Sequence, residues 1–208
     1  MVEYILDVCA KLGYGGILFF MFLESTVFPF PSEVVMIPAG VLAAQGRMNP
    51  WVAILMGIVG SWLGALTNYY ASSLLGRPFL EKYGRFFFLP QHRLEQVEAF
   101  FRRHGEVSTF TGRLIPVIRH LISIPAGLSS MNMFRFLLFT GLGAGLWVSI
   151  LVWIGYVAGK QLDKITSDSI AQLWHQYSAH VTIGLILFCA VVIGAYVLIY
   201  RRRHPRRK

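Results

Sequence analysis

"ESTVFPFPSEVVMIPAG", residues 24–40, decides how the chain is read. It sets two carboxylates, Glu24 and Glu33, among apolar neighbours and interrupts them with Pro29, Pro31, Pro38 and Gly40. In lipid, backbone polar groups must be satisfied from within the protein. Broken backbone survives at membrane depth only where it is buried in protein or lines a wet cavity. The surroundings of the stretch say that lipid is the relevant solvent. Of 208 residues 55% are hydrophobic. Runs at 12–30, 51–75, 134–159 and 181–200 each hold about 20 mostly apolar residues, enough to cross hydrocarbon. This composition excludes an ordinary soluble domain and predicts a single all-α integral membrane domain.

The first run is expected to stay attached, because Glu3, Asp7 and Lys11 precede it and no small-residue cleavage site follows. Cys9 and Cys189 match no metal or redox spacing, so neither a metal nor a cofactor is expected. The net charge of +9 is concentrated in the tail "RRRHPRRK" (201–208) and in residues 77–104, whereas 160–180 balances Lys160 and Lys164 against Asp163 and Asp168. The positive-inside rule places the tail and 77–104 in the cytoplasm and 160–180 outside, with both termini cytoplasmic. The basic tail reads as a topology anchor drawn to anionic lipid rather than a nucleic-acid site.

The chain repeats itself. "PFPSEVVMIPAG" (29–40) aligns with "PVIRHLISIPAG" (116–127) at an offset of 87 residues, and "MNPW" (48–51) with "MNMF" (131–134) at an offset of 83. Each copy continues into a Gly-rich span, and counting crossings makes the two copies inverted. The expected plan is repeat 1 at about 10–76, a cytoplasmic amphipathic linker at 77–105 and repeat 2 at about 106–160. An external amphipathic segment (161–180), a C-terminal span (181–200) and the tail follow. Each copy is a re-entrant, Pro-broken hairpin followed by a transmembrane helix. Pro29, Pro31, Pro38 and Gly40 are expected at the bends of the first hairpin, and Pro116, Pro125 and Gly127 at those of the second. Inverted repeats with broken helices around a midplane site are a recurring plan of secondary transporters. The glycines at 57, 60, 64, 141 and 145 have the spacing of close helix contact, and a homo-oligomer is left open.

The charges inside the expected hydrocarbon zone are Glu24, Glu33, Arg113 and Arg119, with His120 as a titratable neighbour. A central charge costs about 2.5–3.5 kcal/mol on insertion scales, so such residues pair with one another or line a pathway. One reading is a set of ion pairs that holds two hairpins together. The other is an anion site of Arg113 and Arg119, with His120 beside it, in which Glu24 or Glu33 exchanges a proton. Arginine's planar fork suits phosphate and keeps its charge away from water. Asn68 and Tyr69 face this cavity or are satisfied by a neighbouring helix.

The E-S-x-x-x-P-x-P-S-E of residues 24–33, the "GRPFLEKYG" of 76–84 and the "FTGRLIPVIRHLISIPAGLSSMNMFRF" of 110–136 resemble the DedA family of bacterial inner-membrane proteins, also described by a VTT domain. The resemblance implies a cytoplasmic-membrane protein that flips a phosphate-bearing lipid, undecaprenyl phosphate first and a phospholipid such as phosphatidylethanolamine second. It implies the membrane-embedded acids and paired arginines as functional residues, which fall on Glu24, Glu33, Arg113 and Arg119. Its partners would be the lipid, protons and the bilayer. Flippase and scramblase stay open, as does a proton-coupled exporter of small solutes. A lipid phosphatase is disfavoured because the acid-phosphatase motifs are absent from the sequence.

Overall fold

The computed structural model describes residues 2–26, 31–76, 91–115 and 118–161, together with the isolated positions 183, 187, 191 and 194. Among the described residues every regular element is helical. Helix α1 (Val2–Ser25) is kinked at Gly13, where φ is 55°. The short α2 (Glu33–Ala44) follows a break, and α3 (Pro50–Ala71) then runs into a π-helical turn at Ser72–Gly76. Next come α4 (Gln91–Leu114), two short helices α5 (Ile118–Leu121) and α6 (Ser123–Leu128), and the long α7 (Met133–Gln161).

Two described helices are long and apolar enough to cross a membrane, Pro50–Leu74 and Met133–Lys160. Helix α2, at 12 residues, is about 18 Å long and falls short of the roughly 30 Å hydrocarbon core. The run at 181–200 lies outside the described residues except at 183, 187, 191 and 194, which have helical backbone. Ile183, Leu187 and Val191 there are exposed. The expected external segment beyond its first residue, Gln161, and the basic tail also lie outside them. Helix α4 runs unbroken through residue 105, where the linker was expected to give way to the second repeat. A lone glycine there does not end a helix; Gly105 sits against the side chain of Met131.

The two M-N pairs recur because Asn caps a helix in each. Asn49 Oδ1 accepts from the backbone N–H of Trp51 at 2.9 Å, and Asn132 Oδ1 from that of Arg135 at 3.2 Å. The two I-P-A-G motifs lie inside α2 and α6, so Pro38, Gly40, Pro125 and Gly127 are helical residues and not bends. The described chain turns instead after each of these two helices. There Gly46 and Ser130 take positive φ and close matching caps, with Arg47 N–H bonded to Leu42 C=O and Met131 N–H to Ala126 C=O.

The motif glycines serve close approach of backbones. A Cβ on Gly40 would strike the carbonyl of Val152 and the backbone of Gly155 in α7; one on Gly127 would strike the carbonyl of Tyr69 and Ser72 Oγ. Gly60 similarly admits Leu18 and Met21 of α1 against α3, and Gly143 admits Phe110 and Arg113 of α4 against α7. Lipid tails are as apolar as leucine, so helices in a membrane adhere through such fit and through hydrogen bonds. Trp62 Nε1 of α3 donates one of these to the carbonyl of Leu137 in α7 at 2.9 Å. The main apolar core joins Ile17 and Met21, Met36 and Ile37, Ala53 and Ile54, and Trp147 to Val152. Met21 near the end of α1, Val35 near the start of α2 and Leu114 at the end of α4 belong to the same core.

Candidate functional site

Four helix ends and the short α5 converge there. Glu24 and Ser25 close α1, Ser32 and Glu33 open α2, Arg113 lies in the last turn of α4, and Ser123 opens α6; α5 supplies Arg119 and His120. The helix dipoles favour Arg113 at a C-terminal end and Glu33 at an N-terminal one. Glu24 sits at a C-terminal end, where a carboxylate is disfavoured and depends on a cation.

Arg119 is that cation. Its Nη2 lies 3.0 Å from Glu24 Oε1 and 3.6 Å from Glu33 Oε1, so one guanidinium bridges both acids of the first half. Glu24 is 3% exposed and Arg119 5%. The second oxygen of Glu24 accepts from Ser25 Oγ at 2.9 Å. His120 Nδ1 lies 2.8 Å from the backbone carbonyl of Glu24, which can only accept, so that nitrogen carries the proton; it is also 3.9 Å from Glu24 Oε1.

Arg113 differs. It is buried and makes no direct ion pair among the described residues; its Nη2 donates to Ser123 Oγ at 2.8 Å. Arg113 Nε, Arg119 Nε and Arg119 Nη1 are buried with no hydrogen-bond partner among the described residues. An unsatisfied buried donor is costly, more so when charged, and guanidinium donors match an oxyanion. The small cavity beside them is lined by Met21, Glu24, Ser61, Arg113, Arg119 and Trp147, with a volume of about 10 Å³, close to one water. Among the described residues the space between the two guanidiniums is thus about the size of a single water.

Sequence reasoning missed three residues of this site. Trp147 Nε1 donates to Ser32 Oγ at 3.0 Å, and the Arg119 guanidinium lies 4.7 Å from the centre of its ring, a cation–π contact. Ser32 and Ser123 are fully buried. The available signal was a tryptophan inside the Gly-rich span at 141–147, with an N–H that must find a partner in lipid. Asn68, weighed as either cavity-facing or satisfied by a neighbour, is the latter: Nδ2 donates to the carbonyls of Ser25 at 3.0 Å and His120 at 3.4 Å, stapling both breaks. Tyr69 donates its hydroxyl to Met131 C=O at 2.6 Å. Of the proline positions, Pro31 sits at the first break, and Pro29 and Pro116 lie outside the described residues. Among the described residues no group of three or more His, Cys, Asp or Glu is placed to hold a metal ion.

The family model for the VTT domain matches residues 30–157. The chain is 31% identical over 202 residues to undecaprenyl phosphate transporter A of Bacillus subtilis, covering 97% of this chain and 96% of that one. It is 32% identical over 215 residues to an alkaline phosphatase-like protein of Lactococcus lactis subsp. lactis, covering 100% and 96%. It is 28% identical over 200 residues to inner membrane protein YqjA of Escherichia coli, covering 92% and 88%. No solved structure matches the chain.

Proposed function

The chain belongs to the VTT-domain (DedA) family, and from that premise we propose that it carries a phosphate-bearing lipid, undecaprenyl phosphate first, across the cytoplasmic membrane in a cycle coupled to protons. The observation that carries this reading is the pair of buried guanidiniums with three unpartnered nitrogens beside a carboxylate. A phosphate at Arg113 and Arg119 satisfies those donors and competes with Glu24 for Arg119. Once displaced, Glu24 lies buried without its cation and takes up a proton, since an unpaired buried charge is far more costly than a neutral acid. When the lipid leaves, Glu24 returns to Arg119 and the proton is released. His120 and Glu33, both within 4 Å of the pair, hold the local charge balance during the exchange. The lipid tails stay in hydrocarbon throughout.

The same reading includes an inverted repeat of two hairpins followed by spans. In its support, Gly40 of α2 meets the carbonyl of Val152 in α7, and Gly127 of α6 meets the carbonyl of Tyr69 in α3. Val152 follows Tyr69 by 83 positions, the offset that also relates the two M-N pairs. Each short helix thus sits on the span of the other half at equivalent places, as two-fold related hairpins would. Because α2 and α6 are too short to cross, the chain returning on the same face is the arrangement that meets these contacts.

The test is lipid translocation by the full chain in proteoliposomes, comparing undecaprenyl phosphate with phosphatidylethanolamine, each with and without a pH gradient. Faster movement of the polyprenyl phosphate that responds to the gradient is the expected result. Equal rates for both lipids, insensitive to the gradient, would identify a scramblase.

A further inference from the structure

Far from the buried arginines, the described residues form a second, larger cleft of about 250 Å³, between the middle of α4 and the turn that leads into α7. Arg102, Arg103 and His104 line one wall and Arg135 the other, with Glu106 and Ser130 among the remaining lining residues. Three guanidiniums and one carboxylate are among its described lining residues. That carboxylate is shared: Glu106 Oε1 lies 2.8 Å from Arg135 Nη1, in an exposed pair whose side chains are 43% and 65% accessible. Ser130 is the single non-glycine residue at positive φ among the described residues, at 52°, where the equivalent cap of α2 uses Gly46. A residue with a side chain held in this glycine-favoured conformation places a hydroxyl on the cleft at some conformational cost, a pattern that concentrates at working sites.

The depth of the cleft can be read along α7. Arg135 and Trp153 are 18 residues apart, about 27 Å of helix, close to the thickness of the hydrocarbon core. Trp153 pairs edge-to-face with Trp51 at 6.3 Å, and both are exposed, as aromatic residues at a membrane surface are. The cleft accordingly sits at the opposite membrane surface, at the level of lipid phosphates, with Phe134 (74% exposed) and Leu138 turned outward beside it. Arg113 lies 11 residues beyond Arg102 on the same helix, about 16 Å deeper.

We propose that this cleft is a second phosphate site, in which Arg102, Arg103 and Arg135 take the phosphate group of the lipid at the basic membrane surface before it passes down α4 to Arg113 and Arg119. The inference rests on the lipid-transport reading for the identity of its ligand and adds a capture site to it. Its chemistry is that of a phosphate monoester bound by guanidinium groups, with Glu106 as an internal competitor for Arg135.

The experiment is equilibrium binding of phosphorus-32-labelled undecaprenyl phosphate to the full chain in phosphatidylcholine nanodiscs, with inorganic phosphate as competitor. Arg102→Gln/Arg135→Gln is expected to weaken binding about tenfold or more, the loss of one to two charge-assisted contacts. Arg113→Gln removes an inner contact and is expected to lose translocation, and adding Arg102→Gln/Arg135→Gln to it is expected to weaken the remaining binding about tenfold further, as two separate sites require. Glu106→Gln removes the competitor and is expected to tighten binding about threefold or more; a misfolded variant cannot produce that gain. Superimposable isotherms for wild type, the double variant and Glu106→Gln overturn the proposal. So does inorganic phosphate that binds the cleft while lipid binding is the same in wild type and double variant. Because the readout is binding, a chain that binds at the cleft but translocates nothing leaves this site standing and removes the transport reading instead.

Discussion

Replacing Arg119 by glutamine removes the cation on which Glu24 depends. At 3.0 Å and an effective dielectric of about 20, the two charges attract by roughly 5 kcal/mol, and Glu33 at 3.6 Å adds a comparable amount. Desolvation offsets most of this in the intact pair, but breaking a buried pair by removing one partner costs about 3–5 kcal/mol because the other charge is stranded. Arg119→Gln should therefore destabilise the protein by about 3–5 kcal/mol. Glu24→Gln should cost less, about 1–3 kcal/mol, since Arg119 keeps Glu33. The double variant Glu24→Gln/Arg119→Gln strands no charge at Glu24, so its loss should fall well below the sum of the two. The assay is a double-mutant cycle of denaturant unfolding in a bilayer mimic. Single effects that add to within about 0.5 kcal/mol would refute the reasoning, because they would mean that the two charges are solvated separately.

Other substitutions probe the supporting contacts. Gly40→Ala places a methyl on the carbonyl of Val152 and should cost about 1–3 kcal/mol or more, whereas Gly15→Ala, which meets nothing within 4 Å, should stay within about 1 kcal/mol of wild type; thermal unfolding separates the two. Trp147→Phe keeps a ring beside Arg119 but leaves Ser32 Oγ without its donor, so a loss of about 1–3 kcal/mol is expected in the same measurement. Asn68→Leu strips the donor from the carbonyls of Ser25 and His120 and should speed hydrogen exchange at the two breaks while exchange at the centre of α7 is unchanged.

Much of the site was legible in the sequence because a charge in an apolar run is conspicuous. Glu24, Glu33, Arg119 and His120 do come together, and Arg113 joins them around one small cavity with Glu24 and Arg119. The repeated M-N was legible as a repeat, and its reason, an Asn cap on each following helix, came from the structure. The roles of Pro38 and Pro125 were not: a proline in an apolar stretch reads as a bend, yet these helices accommodate it while glycine two residues on is pressed to another backbone. Trp147 and Ser32 were missed because they meet across 115 positions with no periodicity to announce it.

Arg113 offers the sharpest test of the central claim, that the buried guanidiniums exist for a lipid phosphate. It makes no ion pair among the described residues, so Arg113→Gln strands no paired carboxylate and should leave the fold largely intact. Translocation of undecaprenyl phosphate by this variant in proteoliposomes is expected to fall at least about a hundredfold, equivalent to roughly 2.7 kcal/mol of lost phosphate stabilisation, at unchanged reconstituted protein. Translocation at the wild-type rate in the folded variant would contradict the account.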